Sequence, residues 1–190
     1  IERAGSHHQL PLVKCSLINN AKRANNFADD LAFEPVMVNV WTSISGAMMA
    51  GEEAFRRSPY KSKRKVIDIS GDGANNDGAP VLLAREKALA SGMTINGLPI
   101  VNDRPSRYGR RQIPNLDYYY TDCVIGGPGA FIIVANGFDD FARAVRRKLI
   151  LEIAGAVPSS SEQGRIIPVS GYARPPCTIG ETLRKDWDDL

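Results

Sequence analysis

The sequence predicts an α/β fold in which a doubly wound, mainly parallel sheet is covered by helices on both faces. Strand-like apolar runs alternate with helical patterns along the chain, which is typical of this class. The run Met93–Val101 is apolar enough to be a strand buried on both faces. A short β-branched run also ends in the Gly-, Asn- and Asp-rich loop Asp72–Gly78, and open α/β sheets bind ligands at such strand ends.

The first part of the chain predicts one strand and two helices. Gln9–Ile18 predicts the strand, and Asn19 and Asn20 offer N-caps for a helix that ends near Ala32. Ser43 can cap the next helix, because apolar residues follow it at helical spacing. The residues at this spacing are Ile44, Ala47, Met48, Gly51 and Phe55.

The middle of the chain predicts a strand–helix–strand unit. Val66–Ile69 predicts the first strand, and Pro80–Ser91 predicts a helix that Gly92 ends in the C′ position. Met93–Val101 predicts the second strand. A polar loop over Asn102–Asn115 follows, and we expect it to be solvated. This loop carries Arg104, Arg107, Arg110 and Arg111.

The last part predicts a short helix over Leu116–Cys123, a turn at Gly126–Gly129 and a strand over Phe131–Ala135. An amphipathic helix is predicted over Phe138–Ile153, since its apolar residues form one stripe. These are Phe138, Phe141, Val145, Leu149 and Ile153. After Gly155 the chain is rich in Pro, Ser and Gly, so we predict a domain over 1–155 and a tail over 156–190.

The composition is that of a globular protein of 190 residues, with 43% hydrophobic and 24% charged residues. A net charge of +3 is too small to argue for a nucleic-acid partner. No apolar run approaches the roughly 20 residues that span a bilayer. The three cysteines lack C-x-x-C spacing, which argues against zinc and leaves buried thiols or one disulfide with an odd thiol.

Five segments resemble a known family, and their order matches it from about residue 10 to about residue 153. They are Thr42–Ala47, Val66–Gly73, Gly92–Leu98, Asp122–Phe131 and Phe138–Leu149. Together they resemble the von Willebrand factor A-like fold, and more specifically a bacterial family of such domains known as DUF1194. Cys177–Glu181 also resembles the C-terminus of that family. The resemblance implies a secreted or periplasmic protein. If the protein is exported, it also implies a Cys123–Cys177 disulfide with Cys15 left free.

The resemblance implies a divalent-cation site. A-like domains bind the ion through an Asp-x-Ser-x-Ser loop after the first strand, a Thr from a second loop and an Asp from a third. In this chain Thr42 matches the Thr and Asp72 matches the third-loop Asp, whereas Asp-x-Ser-x-Ser is absent. We therefore expect the other ligands upstream of Ile1. Mg²⁺ or Mn²⁺ should bind the full-length protein, and this chain weakly or not at all.

The absent motif implies a truncated domain that lacks its first, central strand. Each buried unpaired backbone group costs about 1–3 kcal/mol, and a domain is stable by only about 5–15 kcal/mol. We therefore expect the chain to be unstable when expressed alone. It is then a fragment of a longer protein, a chain that another chain completes, or a decayed product.

The function that the resemblance implies is non-enzymatic binding of another protein, with the cation bridging to an acidic group on the partner. One alternative is a scaffold or interaction domain whose metal site is lost. A second is a hydrolase that uses Asp72 in metal-assisted chemistry, but no nucleophile–base arrangement stands out and we assign no catalytic residue. Asp72 can also be a turn carboxylate, and Asn75, Asn76 and Asp77 are turn and cap formers by type.

Overall fold

The computed structural model describes residues 2–3, 9–34, 41–102, 112–155 and 174–188. Its centre is a three-stranded parallel sheet, and two further short strands lie at the N-terminus. The strands of the sheet are, in their spatial order, β3 (Lys65–Gly71), β4 (Met93–Val101) and β5 (Ala135–Asn136). The predicted α/β class with a parallel sheet is therefore confirmed.

Helices α2 (Ile44–Arg57) and α3 (Val81–Ala90) form as predicted. The Ser43 hydroxyl accepts a hydrogen bond from the Gly46 N–H at 3.2 Å and so caps α2. Gly92 follows α3 with a φ of 73°, a left-handed conformation that glycine adopts without strain. Both helices bury their apolar faces in one large core cluster. The predicted face of α2 is buried at Ile44, Ala47, Met48 and Gly51, and Phe55 is partly buried.

Strand β4 is the most buried element, as its apolar sequence predicts. Its first eight residues are buried, and alternate residues enter two different core clusters. Met93 and Ile95 pack with α2 and α3, whereas Leu98 and Ile100 pack in a second cluster with helix α5 (Phe141–Ala154). Since neighbouring strand residues point to opposite faces, β4 carries core packing on both faces of the sheet.

Helix α5 forms, and the prediction of its buried face is only partly correct: Phe141 and Val145 pack against the second core cluster, but the other residues of the predicted stripe do not. Phe138, in a 3₁₀ turn before the helix, and Leu149 and Ile153 are exposed; the fully buried residues are Ala144 and Lys148. The Lys148 ammonium pairs with the Asp68 carboxylate of β3 and, at 2.8 Å, with Glu152. It also lies 5.6 Å from the centroid of the Phe131 ring. This ion-pair cluster therefore shares the face toward the sheet with Phe141 and Val145.

The N-terminal strand prediction is wrong beyond Leu10. Strands β1 (Glu2–Arg3) and β2 (Gln9–Leu10) form a short antiparallel pair, and the next residue, Pro11, has no N–H to donate to a sheet. Helix α1 (Ala21–Phe33) forms as predicted, and the Asn20 side chain accepts from the Arg23 N–H at 2.9 Å. None of its residues is buried, so its amphipathic face does not join the core of the described structure.

The predictions for the segment between β4 and α5 are confirmed in part. Helix α4 (Leu116–Tyr119) continues as one π-helical turn over Tyr120–Val124. The last strand is shorter than predicted and consists of β5 alone. The segment before it still pairs with Gly97, because the Gly97 N–H donates to the Phe131 carbonyl at 3.0 Å and the Gly97 carbonyl accepts from the Ile133 N–H at 3.0 Å. The predicted arginine-bearing loop has all four arginines between 103 and 111, outside the described residues.

The described part of the C-terminal tail contains helix α6 (Ile179–Asp188). A disulfide joins Cys123 to Cys177, as the family resemblance implies, and Cys15 is an exposed free thiol. None of the described helices combines the length and the apolar character that crossing a bilayer requires.

Replacing Lys148 with Met should destabilise the fold, because the Asp68 and Glu152 carboxylates would lose their buried counter-ion. Breaking a buried pair costs about 3–5 kcal/mol, and we expect about 2–3 kcal/mol here because Asp68 retains access to solvent. Urea denaturation measures the loss. Arg146→Met, which removes an exposed cation from the same helix, is the control, and an equal effect of the two substitutions would contradict the assignment.

Candidate functional site

The candidate site lies where the loop Asp72–Gly78 leaves β3 and meets the start of α2. The Thr42 carbonyl accepts hydrogen bonds from the N–H groups of Asn76 at 2.9 Å and Asp77 at 3.2 Å. In return, the Thr42 N–H donates to the Asn76 side-chain oxygen at 2.6 Å. These three bonds join the segment that carries Thr42 to the loop that carries Asp72.

Asn75 holds the loop from inside, with none of its surface exposed. Its side-chain oxygen accepts from the Ser45 N–H at 2.9 Å, and its side-chain nitrogen donates to the Ala79 carbonyl at 3.1 Å and to Glu181 at 2.8 Å. Its backbone N–H donates to the Tyr119 hydroxyl at 3.1 Å. Asn75 therefore links α2, its own loop, α4 and α6, which is a larger role than the turn former that its residue type predicts.

Burial raises the pKa of the Tyr119 phenol far above its ordinary value. The hydroxyl is therefore neutral across the physiological range when it accepts the bond from Asn75. This contact stabilises the loop without bringing a charge into the core.

Asp72 and Thr42, the two predicted metal ligands, lie at the same end of β3. Asp72 is exposed, and its backbone carbonyl accepts from the Gln112 amide at 2.7 Å. The same amide nitrogen donates to the Ile100 carbonyl of β4 at 2.7 Å, so Gln112 ties together the ends of two neighbouring strands. A methyl group built on Gly73 would lie 3.3 Å from the Thr42 hydroxyl, which places that hydroxyl beside the residue that follows Asp72.

The oxygen donors at this strand end are of the type that Mg²⁺ and Mn²⁺ prefer, but they are few. Mg²⁺ takes about six oxygen ligands, of which Asp72 and Thr42 would supply one anionic and one neutral donor. Among the described residues, no group of three or more His, Cys, Asp or Glu side chains is placed to hold a metal ion. Asp72 and Thr42 therefore fit part of such a site, with its other ligands from water or from outside the described residues.

Helix α6 covers the other side of the loop, and the sequence did not predict this contact. Arg184 donates to the Asn76 carbonyl at 3.2 Å and pairs with the Asp77 carboxylate. Its guanidinium carbon lies 4.5 Å from the centroid of the Trp41 ring. A methyl group on Gly180 would lie 2.1 Å from the Asn75 carbonyl oxygen, so only glycine allows this approach.

A cavity of about 300 Å³ lies apart from this loop, between α2 and β3. Its lining is mainly apolar and includes Gly51, Phe55, Val66 and Ile67, with the Cys15 thiol also on its wall. Neither predicted metal ligand lines it. The cavity and the candidate site are therefore separate features.

A family model described as "Protein of unknown function (DUF1194)" matches residues 1–157. No curated protein and no solved structure matches the chain. The match confirms the family that the five sequence segments resemble.

Replacing Asn75 with Ala should destabilise the protein by about 2–3 kcal/mol, because the Ser45 N–H would be left buried without its acceptor. Thermal and urea unfolding measure the change. Asn136→Ala removes an exposed amide and should change stability by less than about 0.5 kcal/mol. If Asn75→Ala is as mild as this control, Asn75 does not organise the loop.

Proposed function

The chain belongs to the DUF1194 family, and we propose that it is a non-enzymatic, von Willebrand factor A-like domain that binds another protein. In the full-length protein, Asp72 and Thr42 would be two ligands of a Mg²⁺ or Mn²⁺ ion. When bound, the ion supplies a coordination position that an acidic group of the partner can take. Cation and partner then bind cooperatively, since each stabilises the complex with the other.

The observation that carries the proposal is the junction of the Thr42 segment with the loop that follows β3. Three hydrogen bonds fix this junction, between the Thr42 backbone and the residues Asn76 and Asp77. They hold the Thr42 backbone against the loop that begins at Asp72, and Asp72 is exposed at the same strand end. A backbone that is already fixed loses less conformational entropy when its side chains bind an ion, which supports a ligand role for these two residues.

The position of β3 also supports the proposal. Strand β4 pairs with one side of β3, and β3 is an edge strand of the sheet that the described residues form. In the doubly wound arrangement that we propose, the central strand of the full-length domain lies along the other side. Its carboxyl end would then bring the Asp-x-Ser-x-Ser ligands next to Asp72 and Thr42.

The arrangement of the loop favours binding over catalysis. Asp77, the other carboxylate of the loop, is paired with Arg184, so it is held in a structural contact. A metal-assisted hydrolase needs a general base within reach of the attacking water. The described contacts at this strand end point to no such group, and we therefore propose ligand binding without turnover.

Asp72→Ala should abolish binding of Mg²⁺ and Mn²⁺ by the full-length protein, because it removes an anionic ligand. Thr42→Ala should weaken binding less, about tenfold, since water replaces a neutral hydroxyl more readily than a carboxylate. Isothermal titration calorimetry with each ion measures both effects. Asp29→Ala, which removes an exposed carboxylate from α1, is the matched control and should bind as the wild type does.

Equal cation affinity of the wild type and Asp72→Ala would show that Asp72 is only a turn residue. If the wild-type full-length protein binds neither ion while it is folded, the scaffold function without a metal site takes the place of the proposal. A folded state is verified in the same samples by near-ultraviolet circular dichroism.

A further inference from the structure

The C-terminal segment 174–188 lies across the loop of the candidate site, and we propose that it is a cap held shut by the Cys123–Cys177 disulfide. Reduction of this disulfide releases α6 and uncovers Asn75, Asn76 and Asp77. The proposal does not depend on cation binding, because it concerns access to the loop and not its ligands. It gives the disulfide a regulatory role beyond that of a structural cross-link.

The covalent attachment sits directly beside the cap. Cys123 is fully buried in the π-helical turn, and Cys177, which is partly exposed, lies two residues before the start of α6. Arg174 adds an ion pair with Asp122 at 2.5 Å, and its guanidinium carbon lies 4.8 Å from the centroid of the Tyr118 ring. The segment before α6 is thus fastened to the body of the protein at one place.

Over residues 179–185, whose side chains the structure describes, the non-covalent contacts of α6 are few and mostly polar. Ile179 packs against the large core cluster and Gly180 is buried, but Leu183 is 42% exposed. Glu181 and Arg184 contact the loop through polar groups. Among the side chains of residues 179–185, apolar burial therefore contributes little to holding α6 in place.

The contact made by Glu181 has an unfavourable contribution to the free energy of binding α6. One oxygen of Glu181 accepts from the Asn75 side chain at 2.8 Å, while the other is buried and has no hydrogen-bond partner among the described residues. A buried polar atom without a partner destabilises the arrangement that buries it. In addition, a helix of ten residues is marginal in water when it is detached. The disulfide keeps α6 at a high effective concentration beside the loop, and the bound position of α6 therefore depends on the disulfide.

The opening step is a thiol–disulfide exchange with a dithiol. A thiolate of the dithiol attacks the more exposed sulfur, that of Cys177, and the bond to Cys123 breaks. The second thiol of the dithiol then displaces Cys177 and closes a disulfide within the reductant. Two electrons and two protons pass from the dithiol, and Cys123 and Cys177 become thiols.

Hydrogen–deuterium exchange of the full-length protein, oxidised and then reduced with dithiothreitol, tests the proposal. We expect amides of α6 to exchange about 100-fold faster after reduction, and those of Asn75, Asn76 and Asp77 about tenfold faster. Amides of β4 should keep their protection, because the strand lies in the core away from the cap. Alkylation and mass mapping verify that both Cys123 and Cys177 have opened.

Two variants distinguish release of the cap from any other effect that the reductant has on the protein. Cys177→Ser without reductant should exchange like the reduced wild type, and Cys15→Ser, which alters the free thiol, should exchange like the oxidised wild type. Unchanged protection of α6 with both cysteines alkylated would show that α6 holds without the disulfide. Loss of protection in β4 as well, in the reduced wild type, would show that the disulfide holds the whole fold. Either result overturns the proposal.

Discussion

The buried amide of Asn75 is the contact on which the arrangement of this strand end depends. A primary amide has both an acceptor and donors, and Asn75 uses them on α2, on its own loop and on α6. Its backbone N–H adds the contact with Tyr119. Because all of these partners are themselves buried or part-buried polar groups, the loss of this residue would leave several of them unsatisfied at once. Asn75 therefore holds the loop that carries Asp72 against the start of α2, close to Thr42, without itself being one of the proposed ligands.

The local sequence was sufficient to predict those helices and strands for which the pattern of apolar residues agrees with the residues that mark the ends. Ser43 and Gly92 mark helix ends, and the continuous apolar run of β4 marks a strand buried on both faces, all as observed. Helix α5 shows where this reasoning fails. Its apolar stripe is real, yet Lys148 takes the buried position because Asp68, far away in the sequence, provides a counter-ion. The spacing of apolar residues in a helix carries no information about a buried lysine whose counter-ion lies on another element.

The sequence indicated the loop and the two candidate ligands, but it did not indicate which contacts hold the loop in place. The strand-end loop and the family resemblance identified Asp72 and Thr42, and the structure places both at the end of β3. Neither signal could show that α6 closes over the loop, since Glu181 lies 106 residues from Asn75 in the sequence. Gly180 is the one local clue to that close approach. A single glycine in a Pro- and Gly-rich segment does not by itself indicate what it contacts.

In the proposed function, Thr42 and Asp72 lie on one side of a single cation site in the full-length protein. Paramagnetic broadening by Mn²⁺ in ¹⁵N-resolved spectra tests it most directly, because the effect falls off steeply with distance from the ion. We expect the amide signals of Thr42, Asp72 and Gly73 to broaden first, at substoichiometric Mn²⁺, and excess Mg²⁺ to restore them. Broadening that begins at other residues and spares these three would contradict it.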